Sequence, residues 1–232
     1  MLSGLGEVRI VAPDAERSAV GHAITTLVPL RVKEFRLDGK PVGYAVNGMP
    51  ADCVKLAVGS LLERRPDLVV SGINLGPNTA TNVIYSGTVS AATEARILGI
   101  PSAAVSIGTF SEPIWETAAQ VAGDVARLIL ERGLPDKVLL NVNVPNLPAA
   151  ELKGFMITRQ GESGYEERFD LRSDPREVPY YWLSGKYQLS DTEPDTDAYA
   201  LEQGFVSITP VSFDLTARDF LGELSSWPWR PA

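Results

Sequence analysis

The alternation of short apolar runs with helical patterns most constrains how this chain can fold. Residues 87–100 and 112–133 place apolar residues at helical spacing, and Gly133 is positioned to end the second helix. Buried strands are predicted for three short apolar runs that flank these helices: DLVVSG, PSAAVSI and KVLLNVNVP. Such alternation is typical of a parallel sheet with helices on both faces. We therefore expect a three-layer α/β/α core.

The segments on either side of this pattern differ from it. Residues 7–13, EVRIVAP, predict a further buried strand that stops at a proline. Residues 24–48 are β-rich and interrupted by turns, which predicts a small antiparallel excursion. Beyond residue 148 the helical spacing gives way to strands and turns. We predict an α/β core over residues 1–148 and a β-rich extension over residues 149–232.

Composition restricts the classes of partner. The chain has 232 residues and a formal net charge of -8, which opposes binding to a nucleic-acid duplex or an anionic membrane. An anionic substrate would have to be met locally, by a metal ion or by backbone dipoles. Cys53 is the only cysteine, which suits a reducing compartment, and the start MLSGLGEVRI lacks the pattern of a signal peptide. We expect a cytoplasmic protein.

Ligands of such sheets bind at the carboxyl ends of the strands, and this rule directs attention to the segment VVSGINLGPN. Asn74 and Asn78 each offer an amide oxygen there, between glycines that allow sharp turns. Further along, Ser86, Gly87 and Thr88 open a predicted helix. Backbone N–H groups at a helix start, with hydroxyls beside them, favour phosphate binding. The Walker A lysine and the G-x-G-x-x-G pattern are both missing from the sequence, which disfavours nucleotide triphosphates and dinucleotides.

Several of these residues also have structural explanations. Ser18 could cap a turn, and Asn74 could simply tolerate a left-handed backbone. We interpret His22, the only histidine, as structural rather than as a general base, and Cys53 as part of a helix core. The pair Asp195 and Asp197 is best explained as a helix N-terminus.

Six segments of the chain resemble the SurE family, survival protein E, whose members are metal-dependent 5′/3′-nucleotidases. They are APDAERSAVGHAIT, GMPADCVKLAV, DLVVSGINLGPN, VIYSGTVSAATEARILGIPSAAVS, LLNVNVP and TDAYALEQGFVSITPVSFDLT. The resemblance implies a Rossmann-like sheet with a C-terminal β-rich extension exchanged between subunits of a homodimer or homotetramer. It also implies that Ser18 and Asn74 ligate a divalent cation. The phosphate pocket would be lined by Asn78, Ser86, Gly87 and Thr88.

Family members begin with a strand ending in Asn-Asp-Asp-Gly, whose aspartates supply the charged metal ligands. The sequence contains no Asn-Asp-Asp-Gly, and its start resembles the end of the helix that follows that strand. Met1 would then be an internal methionine or the start of a truncated chain. No catalytic residue is assigned, because the family aspartates are the candidates for that role. We expect the 232 residues alone to bind Mn²⁺ weakly and to hydrolyse nucleotides poorly.

The resemblance implies a phosphatase that hydrolyses nucleoside 5′- and 3′-monophosphates. Oxygen ligands from Ser and Asn suit one Mg²⁺ or Mn²⁺ per subunit better than Zn²⁺. One alternative is a non-catalytic nucleotide-binding protein or oligomeric scaffold that has lost the metal carboxylates. Another is an unrelated α/β transferase.

Overall fold

The computed structural model describes residues 1–229, apart from the side chains of Tyr165 and Tyr187; residues 230–232, the end of the predicted extension, lie outside it. The α-helices of this part are α1 (Pro50–Leu56), α2 (Asn82–Tyr85), α3 (Gly87–Ile97), α4 (Trp115–Arg132), α5 (Asp197–Glu202) and α6 (Leu221–Ser225). The strands are β1 (Ile10–Pro13), β2 (Val32–Leu37), β3 (Lys40–Val46), β4 (Val69–Leu75), β5 (Ser102–Ile107), β6 (Val138–Val144), β7 (Phe155–Ile157), β8 (Gly164–Ser173), β9 (Pro179–Gln188) and β10 (Val206–Ser212).

A five-stranded sheet in the order β4-β5-β6-β10-β7 forms the centre of the molecule. Strands β4, β5 and β6 are parallel, and β10 joins β6 antiparallel. Side chains of β5 alternate between the two faces of the sheet. Val105 packs with residues of α4 on one face, and Ala104 packs with residues of α2 and α3 on the other. Helices therefore cover both faces of the sheet, which confirms the predicted Rossmann-like three-layer α/β/α fold.

A second sheet has three strands in the order β1-β3-β2. Strands β2 and β3 pair antiparallel, which confirms the predicted excursion, and β1 runs parallel to β3. The expectation of a fully buried β1 and β4 is wrong. Residues of β1 alternate between exposed and half-buried, and β4 is half-buried along most of its length. The reason is topological, because each of these strands lies at the edge of its own sheet.

The residues after position 148 contribute to two structures. Strands β7 and β10 belong to the five-stranded sheet, whereas β8 and β9 form a separate antiparallel ribbon with ten residues in each strand. The ribbon has exposed apolar side chains on its surface, including Leu171 and Trp182. The division of the chain at residue 148 into a core and an extension stays a prediction.

Candidate phosphate-binding site

The start of α3 lies at the carboxyl end of the sheet and is fixed by its own sequence. Ser86 is the N-cap, and its hydroxyl accepts a hydrogen bond from the Val89 N–H at 3.1 Å. The first N–H groups of a helix have no partner within the helix, and here they belong to Gly87 and Thr88. A serine hydroxyl that accepts one bond still has its proton to donate. The predicted helix start at Ser86, Gly87 and Thr88 is therefore present.

The end of β4 meets this helix start. The Thr88 hydroxyl donates to Asn74 Oδ1 at 3.3 Å, and Asn74 Nδ2 donates to the Gly76 carbonyl at 2.8 Å. Gly76 has φ of 103°, and an added methyl group there would collide with the Phe110 ring. The glycine is thus required both by the backbone turn and by the close approach of the ring.

The loop that contains Ser18 packs on the same helix start. The Gly21 N–H donates to the Tyr85 carbonyl at 2.8 Å, and a methyl group added at Gly87 would lie 3.4 Å from the Arg17 carbonyl oxygen. The Ser18 hydroxyl itself donates to Glu16 Oε1 at 2.6 Å. The loop that carries Ser18 and the side chain of Asn74, distant in sequence, therefore both contact the start of α3.

Asn78 lies deeper than its neighbours and belongs to a buried polar network. Its Nδ2 donates to Ser106 Oγ at 2.7 Å, and its N–H donates to Asn143 Oδ1 at 2.8 Å. Its carbonyl accepts from the side chains of Asn141 and Asn143. The Asn78 amide thus faces the sheet, and its role in binding phosphate stays a prediction.

Two asparagines of this network, Asn141 and Asn143, were not predicted as site residues. They alternate with valines in the NVNV run of β6, and residues two apart on a strand face the same side. Both are fully buried. Polar residues at alternate positions of an otherwise apolar strand were the signal for this network.

His22 takes part in a charged cluster on α3 rather than in the helix start. Its Nε2 lies 2.8 Å from Glu94 Oε2, and Lys55 Nζ donates to Glu94 Oε1 at 2.9 Å. Burial opposes ionisation of Glu94, but hydrogen bonds from Lys55 and His22 outweigh it and hold the pKa of this carboxyl below its usual value. These contacts agree with the interpretation of His22 as a structural residue.

The remaining candidates have structural surroundings. Cys53 is buried in α1, and burial raises the pKa of its thiol to about 12, so it is not a poised nucleophile. Asp197 is the first residue of α5, which confirms the predicted helix N-terminus, and Thr196 is its N-cap. Asp195 pairs with Arg159 at 3.0 Å.

Ser18 and Asn74 meet only some of the needs of a hard cation. The oxygens of Ser18 and Asn74 are of the type that Mg²⁺ and Mn²⁺ accept, but neither carries a charge. Within residues 1–229, no group of three or more His, Cys, Asp or Glu side chains is arranged to hold a metal ion. The two oxygens are therefore suitable ligands for Mg²⁺ or Mn²⁺, but the positive charge of the cation would have to be balanced by other ligands.

These features define an α/β protein with an N-capped helix start, whose first N–H groups lack partners within the helix, at the carboxyl edge of a parallel sheet. The family model described as Survival protein SurE matches residues 1–167. The chain belongs to the SurE family, as its motifs predicted.

Curated relatives and a solved structure agree with this membership. The 5′-nucleotidase SurE of Syntrophobacter fumaroxidans is 50% identical over 221 residues, covering 95% of this chain and 88% of the relative. The protein of the same name from Syntrophus aciditrophicus is 52% identical over 226 residues, covering 97% and 85%. The crystal structure of the SurE protein from Aquifex aeolicus aligns with a TM-score of 0.84 at 42% identity, covering 97% of this chain and 90% of that one.

No helix within residues 1–229 combines the length and the apolar character needed to span a bilayer.

Proposed function

We propose that this protein is a metal-dependent phosphatase that hydrolyses nucleoside 5′-monophosphates, and also 3′-monophosphates, to nucleoside and phosphate. The observation that carries the proposal is the start of α3, where Thr88 contacts Asn74 and the Ser18 loop packs on Gly87. Membership of the SurE family and relatives named 5′-nucleotidase SurE support the nucleotide as substrate.

The phosphate would be held by the N–H groups of Gly87 and Thr88 and by the hydroxyls of Ser86 and Thr88. A helix N-terminus favours negative charge, so these donors would stabilise the nonbridging oxygens as charge redistributes during hydrolysis. Asn78 is assigned to the same pocket. Its backbone is fixed by Asn143, which would hold the adjacent loop in place as substrate enters.

Ser18 and Asn74 would hold one Mg²⁺ or Mn²⁺ through neutral oxygens, with substrate or solvent oxygens completing the coordination. A cation of this kind polarises the phosphoryl oxygen and lowers the pKa of an attacking water. The Ser18 hydroxyl would keep donating its proton to Glu16 while a lone pair of its oxygen faces the cation. No residue of the chain is assigned as general acid or base.

Assembly and location belong to the same proposal. The exposed apolar face of the β8–β9 ribbon supports a homodimer or homotetramer in which the ribbon contacts a second copy. A cytoplasmic location is supported by Cys53, the single cysteine, which is buried in α1.

Phosphate release from a panel of nucleoside 5′- and 3′-monophosphates, with and without Mn²⁺ or Mg²⁺, tests the activity. We expect metal-dependent release, and calorimetry with Mn²⁺ alone measures how tightly the 232 residues bind the cation. Nucleotide binding without any phosphate release would instead favour a non-catalytic binding protein. The proposal fails if the chain neither binds nor hydrolyses any member of the panel.

A further inference from the structure

The loop between β4 and α2 is held by side chains from distant parts of the chain. The Ala80 N–H donates to Asp197 Oδ2 at 2.9 Å, and the Ala80 carbonyl accepts from Gln160 Nε2, also at 2.9 Å. Ala80 is fully buried and has φ of 51°, in the left-handed region that alanine seldom adopts. Such a conformation persists where surrounding contacts impose it.

The position of Ala80 is transmitted to the helix start by short backbone connections. The Val83 N–H donates to the Ala80 carbonyl at 3.3 Å, so α2 begins on the peptide that Gln160 holds. Helix α2 ends at Tyr85, and Ser86, the N-cap of α3, follows directly. A shift of Ala80 would therefore move Ser86.

Asp197 does more than a helix terminus needs. Thr196 already caps α5, because its hydroxyl accepts from the Tyr199 N–H. Asp197 is fully buried, and besides Ala80 its carboxylate accepts from the Gly161 N–H at 3.0 Å and from the Ala198 N–H at 2.8 Å. Burial raises the pKa of Asp197 although four backbone N–H groups, including its own, act in the opposite direction. A fully buried carboxylate that accepts the N–H group of a distant loop points to a specific partner outside the helix.

We propose that Asp197 is a positioning residue of the phosphate-binding site, which acts by holding the Ala80 peptide and, through α2, the N-cap Ser86. It does not touch the phosphate. The same carboxylate also holds Gly161, so it ties the loop to the segment that leads into the ribbon. The inference rests on the proposed function only for the identity of the ligand.

The variant Asp197→Asn should disrupt the hydrogen bond from the Ala80 N–H while keeping those from Gly161 and Ala198. An amide has a single acceptor oxygen, which can serve Gly161 and Ala198 together, as Oδ1 does now. Its NH₂ group would then face the Ala80 N–H, so that two donors oppose each other. We expect hydrogen exchange of amides 78–85 to quicken at least about tenfold, and the dissociation constant of inorganic phosphate, measured by calorimetry, to rise about three- to tenfold.

Two further variants accompany Asp197→Asn: one controls for general loss of stability, and the other is a second test. Thr196→Val removes the neighbouring cap at nearly constant volume and lowers the stability of α5 without touching Ala80, so exchange at 78–85 and phosphate affinity stay at wild-type values. Gln160→Ala, at an exposed residue, removes the hydrogen bond to the Ala80 carbonyl instead of the one from its N–H group. It should reproduce the direction of both changes, and it serves as the test if Asp197→Asn does not fold.

Wild-type exchange and wild-type phosphate affinity in Asp197→Asn and Gln160→Ala would overturn the inference. Equal changes in Thr196→Val would overturn it as well, because the effect would then follow stability alone. The exchange measurement needs no substrate. If the protein proves to hydrolyse no nucleotide, faster exchange confined to 78–85 still supports the role of Asp197 while the proposed function fails.

Discussion

Asn74 lies near the end of β4 and Asn78 four residues later in the loop that follows, yet their amide groups have different surroundings. Asn74 is half-buried and contacts the Thr88 hydroxyl, whereas Asn78 is 7% exposed and donates to Ser106 inside the molecule. The side chain of Asn74 is therefore the more accessible of the two. The contribution of Asn78 passes mainly through its backbone, which two asparagines of β6 hold.

Ser86 combines a structural and a ligand-binding task. Ser86→Ala removes the helix cap, which costs about 1 kcal/mol of stability, and one hydrogen bond to a charged phosphate, worth about 1.5–3 kcal/mol. We therefore expect kcat/KM to fall about tenfold to hundredfold in a phosphate-release assay. Ser90→Ala is the matched control, because its buried hydroxyl donates to the Ser86 carbonyl within the same helix. A value of kcat/KM within about twofold of wild type in Ser86→Ala would remove Ser86 from the site.

Glu94 links stability to pH. Its side chain is 4% exposed, and because its pKa is lowered by Lys55 and His22, its ionised form stabilises the fold. That contribution is complete above the unfolded pKa, near 4.5, and is lost as the pH falls through the lower folded value. Glu94→Gln should cost about 1–3 kcal/mol at pH 7, since both partners are partly exposed, and the cost should shrink below pH 4.5.

Denaturant unfolding of wild type and Glu94→Gln across this pH range measures the difference. Asp124→Asn is the control, because Asp124 pairs with Arg127 on the surface and should change stability by less than about 0.5 kcal/mol. A Glu94→Gln deficit that stays constant down to pH 3 would mean that packing, not charge, makes Glu94 important.

At the scale of elements, the contact between α3 and the Ser18 loop depends on the absence of a side chain at Gly87. A methyl group there would lie 2.9 Å from Cγ of Pro50, the first residue of α1, which is closer than two carbon atoms approach. The start of α3 would therefore have to move away from α1 or from the Ser18 loop. Gly87→Ala should therefore destabilise the fold by about 1–3 kcal/mol and lower both phosphate affinity and metal-dependent turnover.

The control for this substitution is Gly59→Ala, because nothing lies within 4 Å of the added methyl group there. Thermal unfolding, phosphate calorimetry and phosphate release are measured on both variants. If Gly87→Ala behaves like Gly59→Ala in all three, neither Pro50 nor the Ser18 loop packs closely on the helix start.

Helices and strands with a regular spacing of apolar residues could be predicted from the sequence, whereas the strands that lie at sheet edges could not. Helix α4 ends at Arg132 with Gly133 as its C-cap, as its pattern predicts, and β5 is buried throughout. The exposure of β1 followed from sheet order, which depends on pairing between distant segments and leaves no local signal. The start of α3 was predicted because helix caps are local, whereas the contact of Asp197 with Ala80, 117 residues away, was missed.

At the scale of the whole molecule, one face of the ribbon is unusually apolar. Phe169 lies opposite Leu183 and Leu171 opposite Tyr181, so the four side chains share a face, and each is more than half exposed. An isolated two-stranded ribbon is marginally stable in water, so burial of this face against a second copy would stabilise it. The net charge of -8 opposes nonspecific association, which favours a defined interface.

We therefore expect a dimer or larger species at micromolar concentration in light scattering, as the proposed assembly requires. The double variant Leu171→Glu and Leu183→Glu places two charges on the apolar face and should shift the protein to monomers, since burying unpaired carboxylates is costly. Arg172→Gln is the matched control, because Arg172 is adjacent to Leu171 in sequence and lies on the opposite face of the ribbon. It should leave the assembly unchanged. A wild-type monomer, or an assembly that survives the double variant, would show that the ribbon does not join subunits.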